Sequence, residues 1–430
     1  MVKAALGARL LRSLTRAGKA QQRQVTKLAS LWFAAPKPKA KTKVAAKPKV
    51  KPVTALKAPK PASVFSPPKP QPAPKPLVAK ALLKPAPKPP AARPAPRTAT
   101  TPAAPAGLTI RSNGRQHVEA LPGRWLAAHY SASPNAGHPA GGMAYWLYLP
   151  DNVPETAVRN GLPLIVMLHG CHQTATQFAQ GTRMNRLAEQ KGYAVLYPQQ
   201  LVSTQAQRCW KWYDRSTQEG GGDVRIITGI IGKVCEQYRI DRRRIYIAGI
   251  SAGAAMANIV ALNHPELIAA VGLHSSPMFG AGHSTIGALG VMQHGSAVRT
   301  ESAIREVLAR RPGFPSMPTI LIQGEGDKVV RPINQSQLVR QSLLLNGLSP
   351  ATQARVALKP AGRGGSRHAH EIRDYHEGSK LLLRVAQISE LDHAWSGGDP
   401  EVSFHSKAGP DASKMMLEFF AKHRRAVRKK

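Results

Sequence analysis

The chain has 430 residues, and 61 Lys and Arg against 23 Asp and Glu give it a formal net charge of +38. Residues 1–118 hold 25 of those basic residues and no acidic one, and 20 of the 37 prolines fall between Pro36 and Pro105, so this stretch cannot bury enough apolar surface to offset its chain entropy. No run reaches the roughly 18 to 20 apolar residues of a membrane span, so no integral membrane span is expected, and three cysteines exclude a disulfide scaffold or a structural zinc site.

In residues 1–35, Leu6, Leu10, Leu14, Val25, Leu28, Leu31 and Trp32 fall within about 120° on a helical wheel, beside an arc of Arg9, Arg12, Arg16, Lys19, Arg23 and Lys27. That pattern predicts a basic amphipathic helix suited to an anionic or hydrophobic surface; a helix docked on its own domain and a transit-type leader carry the same pattern. The basic residues interrupt any secretory apolar centre, which points to a cytoplasmic chain. Residues 36–106 repeat Lys-Pro and Ala-Pro units and predict an extended, disordered spacer. Its charge would attract nucleic acid without sequence preference, since no stacking platform or DNA-reading module accompanies it.

Residues 107–423 alternate apolar runs with helical patterns. Strands are predicted over 143–149, 162–168, 193–197, 244–248, 267–273, 318–323 and 381–388, with helices over 176–190, 223–238, 252–263, 335–345 and 412–423. This alternation predicts an α/β fold, a doubly wound and mostly parallel sheet, followed by a basic tail at 424–430. The segment 362–378, which includes His368, His370, Glu371, Asp374 and His376, reads as a solvated loop, and neither a metal nor a cofactor is expected.

Gly249-Ile250-Ser251-Ala252-Gly253 stands where an apolar strand meets a helix of small residues. Gly-x-Ser-x-Gly in that setting is a nucleophile elbow, a turn so tight that the residues two before and two after the serine must be small. A serine hydroxyl is a weak nucleophile and needs a histidine to take its proton and an acid to orient that histidine, here in the order Ser, acid, His. Asp327, on the loop after the apolar strand 318–323, is the expected acid, with Glu325 as its competitor. His393, on the loop after the strand 381–388, is the expected base. The oxyanion of the tetrahedral intermediate needs backbone N–H groups. Ala252 supplies one, and Cys171 or His172 in the loop His-Gly-Cys-His-Gln (169–173) the other, with Cys171 preferred. Its thiol could bridge to Cys209 or stay reduced in the cytosol.

Taken with Cys-Trp-Lys-Trp-Tyr (209–213), Gly-Asp (326–327) and Asp-His-Ala-Trp-Ser-Gly-Gly (392–398), these motifs resemble the polyhydroxybutyrate (PHB) depolymerase family of esterases over residues 142–423. The resemblance implies an α/β-hydrolase in which Ser251, Asp327 and His393 form a triad and His169–Cys171 shapes the oxyanion hole. It also implies a substrate surface that includes Trp210, Trp212 and Tyr213, to which His172 and Trp395 are added. The implied substrate is a poly- or oligo-3-hydroxybutyrate ester. Feruloyl and acetylxylan-type esterases are similar in motif, so a carbohydrate ester is the alternative. The basic N-terminal region sets the chain apart from secreted members of the family. It suggests attachment to storage granules, against a secreted enzyme with an unusual leader or a non-enzymatic granule or nucleoid adaptor; the complete triad argues against the adaptor.

Overall fold

The computed structural model describes residues 121–132, 141–202 and 207–426. The amphipathic helix expected in 1–35, the linker 36–106 and the last four residues of the basic tail lie outside them. Along β3 (Leu162–Leu168), Leu164, Val166 and Leu168 face one apolar core while Ile165 and Met167 face a second. The same division runs through β5 (Ile240–Ile250), where Ile245 and Ile247 alternate with Tyr246, Ala248 and Ile250. Both faces of the sheet are therefore covered, which is why these strands read as unbroken apolar runs and not as alternating ones.

The other strands of the same sheet are β1 (Arg124–Ala132), β2 (Gly141–Leu149), β4 (Ala194–Pro198), β6 (Ala270–His274), β7 (Thr319–Gly324), β8 (Arg355–Lys359), β9 (His370–Glu377) and β10 (Lys380–Ile388). They form one ten-stranded sheet in the order β1-β2-β4-β3-β5-β6-β7-β10-β9-β8. From β4 to β10 every neighbouring pair is parallel, and β1, β2, β8 and β9 add antiparallel pairs at the two edges. Parallel strands bring the loops that follow β3, β5, β6, β7 and β10 to one edge, the place where such sheets bind ligands.

Two differences from the predicted elements have physical causes. The single helix expected over 176–190 is two, Ala175–Thr182 and Met184–Lys191, broken at Arg183 with φ 54°. The carbonyl of Thr182 there accepts a hydrogen bond from Ser413 Oγ at 2.7 Å, which ties the helix end to the C-terminal helix Ala412–Phe420. Within 362–378, read as a solvated loop, residues 370–377 form strand β9. Its charges are neutralised laterally, with Arg384 of β10 holding Asp374 through two hydrogen bonds of 2.6 and 2.7 Å, while Tyr375 packs into the core. The helices Thr285–His294 and Ala297–Arg310, between β6 and β7, had no counterpart in the sequence reading.

Candidate active site

Ser251 follows β5 directly, has φ 57° and ψ −125°, and precedes the helix Ala252–Asn263. This is a backbone conformation that residues with a side chain rarely adopt, and it is held from both sides. The Ser251 N–H donates to His274 O at 2.9 Å. A Cβ on Gly249 would lie 2.5 Å from Leu168 O, and one on Gly253 2.2 Å from the same carbonyl, so the end of β3 can cross the elbow only because both positions are glycine.

The loop after β7 carries Asp327, which is 2% exposed. Its Oδ1 accepts the N–H groups of Val329 and Val330, each at 2.9 Å, and its Oδ2 accepts Gln323 Nε2 at 3.0 Å and His393 Nδ1 at 2.8 Å. Four donors thus hold the carboxyl in place, and His393, donating from Nδ1, keeps its lone pair on Nε2. The two loops can meet because Gly324 lacks a Cβ, which would sit 2.0 Å from Leu391 O. Glu325 is exposed and makes no side-chain bond to this pair. Ser251 Oγ and His393 Nε2 have no side-chain partner among the described residues, yet neither is a sealed polar atom, so both open to the site. Asp327 and His393 are in direct contact; Ser251 is joined to them through the strand that ends at His274.

In the loop after β3, Gly170 N–H donates to Gln173 Oε1 at 2.8 Å, His172 N–H to Gln207 O at 2.7 Å, and Gln173 N–H to Gly170 O at 3.4 Å. Cys171 N–H is therefore the amide of 170–173 left without an acceptor among the described residues. Ala252, the first residue of its helix, likewise has no intrahelical acceptor. Below the loop lies His169, whose Nε2 accepts Gln200 N–H at 3.1 Å and whose Nδ1 meets Gly170 O at 2.8 Å. Burial pushes its pKa down to about 4, so the ring is neutral at pH 7. A disulfide joins Cys171 to Cys209.

The aromatic residues expected on a substrate surface divide. Trp210, Trp212 and Trp395 are 0%, 1% and 0% exposed, so they offer no ring to a ligand and that expectation is corrected. Trp210 instead donates from Nε1 to His169 O at 2.9 Å and braces the loop from below, while Trp395 donates to Ser413 Oγ at 3.1 Å. Only Tyr213 and His172 remain part-exposed. Gln323 and His274, the next-to-last residue of β7 and the last of β6, belong to the site without having been expected there; a polar residue near the end of an apolar strand is the one signal for either.

Residues 143–363 match the model of the family described as Esterase PHB depolymerase, slightly more than half of the chain. A probable acetylxylan esterase A of Neosartorya fischeri is 33% identical over 153 residues, 35% of this chain and 39% of that protein. Poly(3-hydroxyalkanoate) depolymerase C of Paucimonas lemoignei is 26% identical over 220 residues, 50% of this chain and 51% of that protein. The chain thus spans about two-fifths to half the length of these relatives. Among solved structures, the acetyl xylan esterase from Aspergillus awamori superposes with a TM-score of 0.53 at 18% identity, over 68% of this chain and 99% of that one, a likeness of α/β-hydrolase fold. The matched region stops before His393, whose place in the site rests on its bond to Asp327, but it takes in the turn at Ser251, the loop 169–173 and Asp327 together, and on that match the chain belongs to the esterase PHB depolymerase family.

Proposed function

We propose that the chain is a carboxylic ester hydrolase that works through an acyl-enzyme on Ser251. His393 Nε2 takes the hydroxyl proton as Ser251 Oγ attacks the ester carbonyl, and returns it to the leaving alkoxide; a water molecule, deprotonated by the same nitrogen, then releases the acid. Asp327 fixes the tautomer of His393, and the amides of Cys171 and Ala252 receive the oxyanion. The observation that carries this reading is the Asp327–His393 pair, at the sheet edge that also presents the strained Ser251 and the two unpaired amides.

The favoured substrate is a short-chain polyhydroxyalkanoate, poly- or oligo-3-hydroxybutyrate, a reading supported by the family match and the Paucimonas relative. A sugar acetate or feruloyl ester is the second reading, supported by the 33% identity to an acetylxylan esterase. Amorphous hydroxybutyrate granules, hydroxybutyrate oligomers, acetylated xylan and feruloyl esters given to the purified protein separate the two. Release of 3-hydroxybutyrate is the expected result, and a higher kcat/KM on either sugar ester would assign the carbohydrate reading instead. Attachment of residues 1–106 to granules or nucleic acid is proposed from their charge and pattern alone.

The Cys171–Cys209 disulfide bears on location, because such bonds persist in oxidising compartments. It supports an envelope or extracellular setting over the cytoplasm expected from the N-terminus. Alkylation in denaturant without reductant should find one free thiol, Cys235. Three free thiols would return the chain to a reducing compartment.

A further inference from the structure

We infer that His274 is a positioning residue that locks the loop bearing the general base to the strand beside the nucleophile, an inference that rests on reading Ser251 and His393 in those roles. His274 is fully buried at the end of β6, in register with Ile250, the residue before the nucleophile. Its carbonyl accepts the Ser251 N–H at 2.9 Å. Its ring reaches the other partner: Nε2 accepts the N–H of Ser396 at 3.3 Å, and the ring stacks on Trp395 with centroids 5.1 Å apart and planes at 24°. Those two residues follow His393 by two and three positions.

The chemistry of the contacts settles the state of the ring. A backbone amide only donates, so Nε2 must hold the lone pair, and the proton sits on Nδ1, from which it goes to Ser275 Oγ at 3.1 Å. Burial, with His393 as the next cause, pushes the pKa of His274 down to about 3; Asp327 and His405 are the other titratable groups that act on it. A neutral ring beside His393 leaves the imidazolium formed during catalysis unopposed. Ser396 is also held through its side chain, whose Oγ donates to Pro410 O at 2.6 Å, so His274 supplies the tie toward the nucleophile.

The test compares His274→Gln, His274→Asn and His274→Phe with wild type and Ser251→Ala, measuring kcat, KM and Tm on p-nitrophenyl butyrate with the full chain. Phe keeps the stack and loses the acceptor; Asn is too short to place its oxygen where Nε2 stands; Gln can. Displacement of the base by about 1 Å should lower kcat about 10²-fold in Phe and Asn with KM within about threefold, and Gln should recover about tenfold. Wild-type kcat in Phe and Asn would overturn the inference, as would losses that follow Tm across the three variants with no recovery in Gln. Inactive Ser251→Ala beside unaffected His274 variants sinks the inference alone; an active Ser251→Ala overturns the catalytic reading beneath it.

Discussion

Ser251→Ala should abolish ester hydrolysis almost completely, leaving about 10³ to 10⁴ over the uncatalysed reaction from binding and oxyanion contacts. The substitution removes one oxygen and adds no backbone strain, because the Cβ that must tolerate φ 57° is already present in serine. The N–H bond to His274 O and the glycine contacts at the elbow are untouched, so Tm should stay near that of wild type. Turnover of p-nitrophenyl butyrate together with a thermal melt checks both expectations. Activity retained in this variant would place the nucleophile elsewhere.

A loss of similar scale is expected from Asp327→Asn, for a different reason. The asparagine oxygen can take the place of Oδ1 and accept from Val329 and Val330, but its NH2 then faces two former donors, Gln323 Nε2 and His393 Nδ1–H. His393 would have to move its proton to Nε2 to accept that NH2, and in that tautomer it cannot take a proton from Ser251. We expect kcat to fall about 10⁴-fold with KM little changed, by the logic of a triad whose histidine is held in the wrong tautomer. Glu325→Gln is the paired control. Glu325 is exposed and outside this network, so its variant should keep activity; the reverse ranking would make Glu325 the acid.

The parts of the site that were legible in the sequence are those where geometry leaves little choice of residue. Gly249 and Gly253 lie against the carbonyls of β3, and any larger residue would break the crossing, so the five-residue pattern carries its structure with it. The boundaries of β3 and of the helix 252–263 coincide with the reading because each is a continuous apolar or small-residue run with a sharp end. What stayed hidden depends on partners distant in sequence. The charges of β9 look like a loop until Arg384 of the neighbouring strand supplies the counterion for Asp374. Trp210, Trp212 and Trp395 flank catalytic motifs, and composition does not say whether a ring packs downward or faces a ligand; here all three pack downward. The preference for Cys171 over His172 gains a structural reason only from Gln207 O, 35 positions after His172, which occupies the His172 amide.

The proposed mechanism requires a covalent acyl intermediate on Ser251. Mass spectrometry of protein acid-quenched during turnover of p-nitrophenyl butyrate, followed by peptide mapping, tests it most directly. A butyryl adduct should appear on the peptide that contains Ser251 and be absent from Ser251→Ala. An adduct on another residue, or the same adduct level in the variant, would contradict the account.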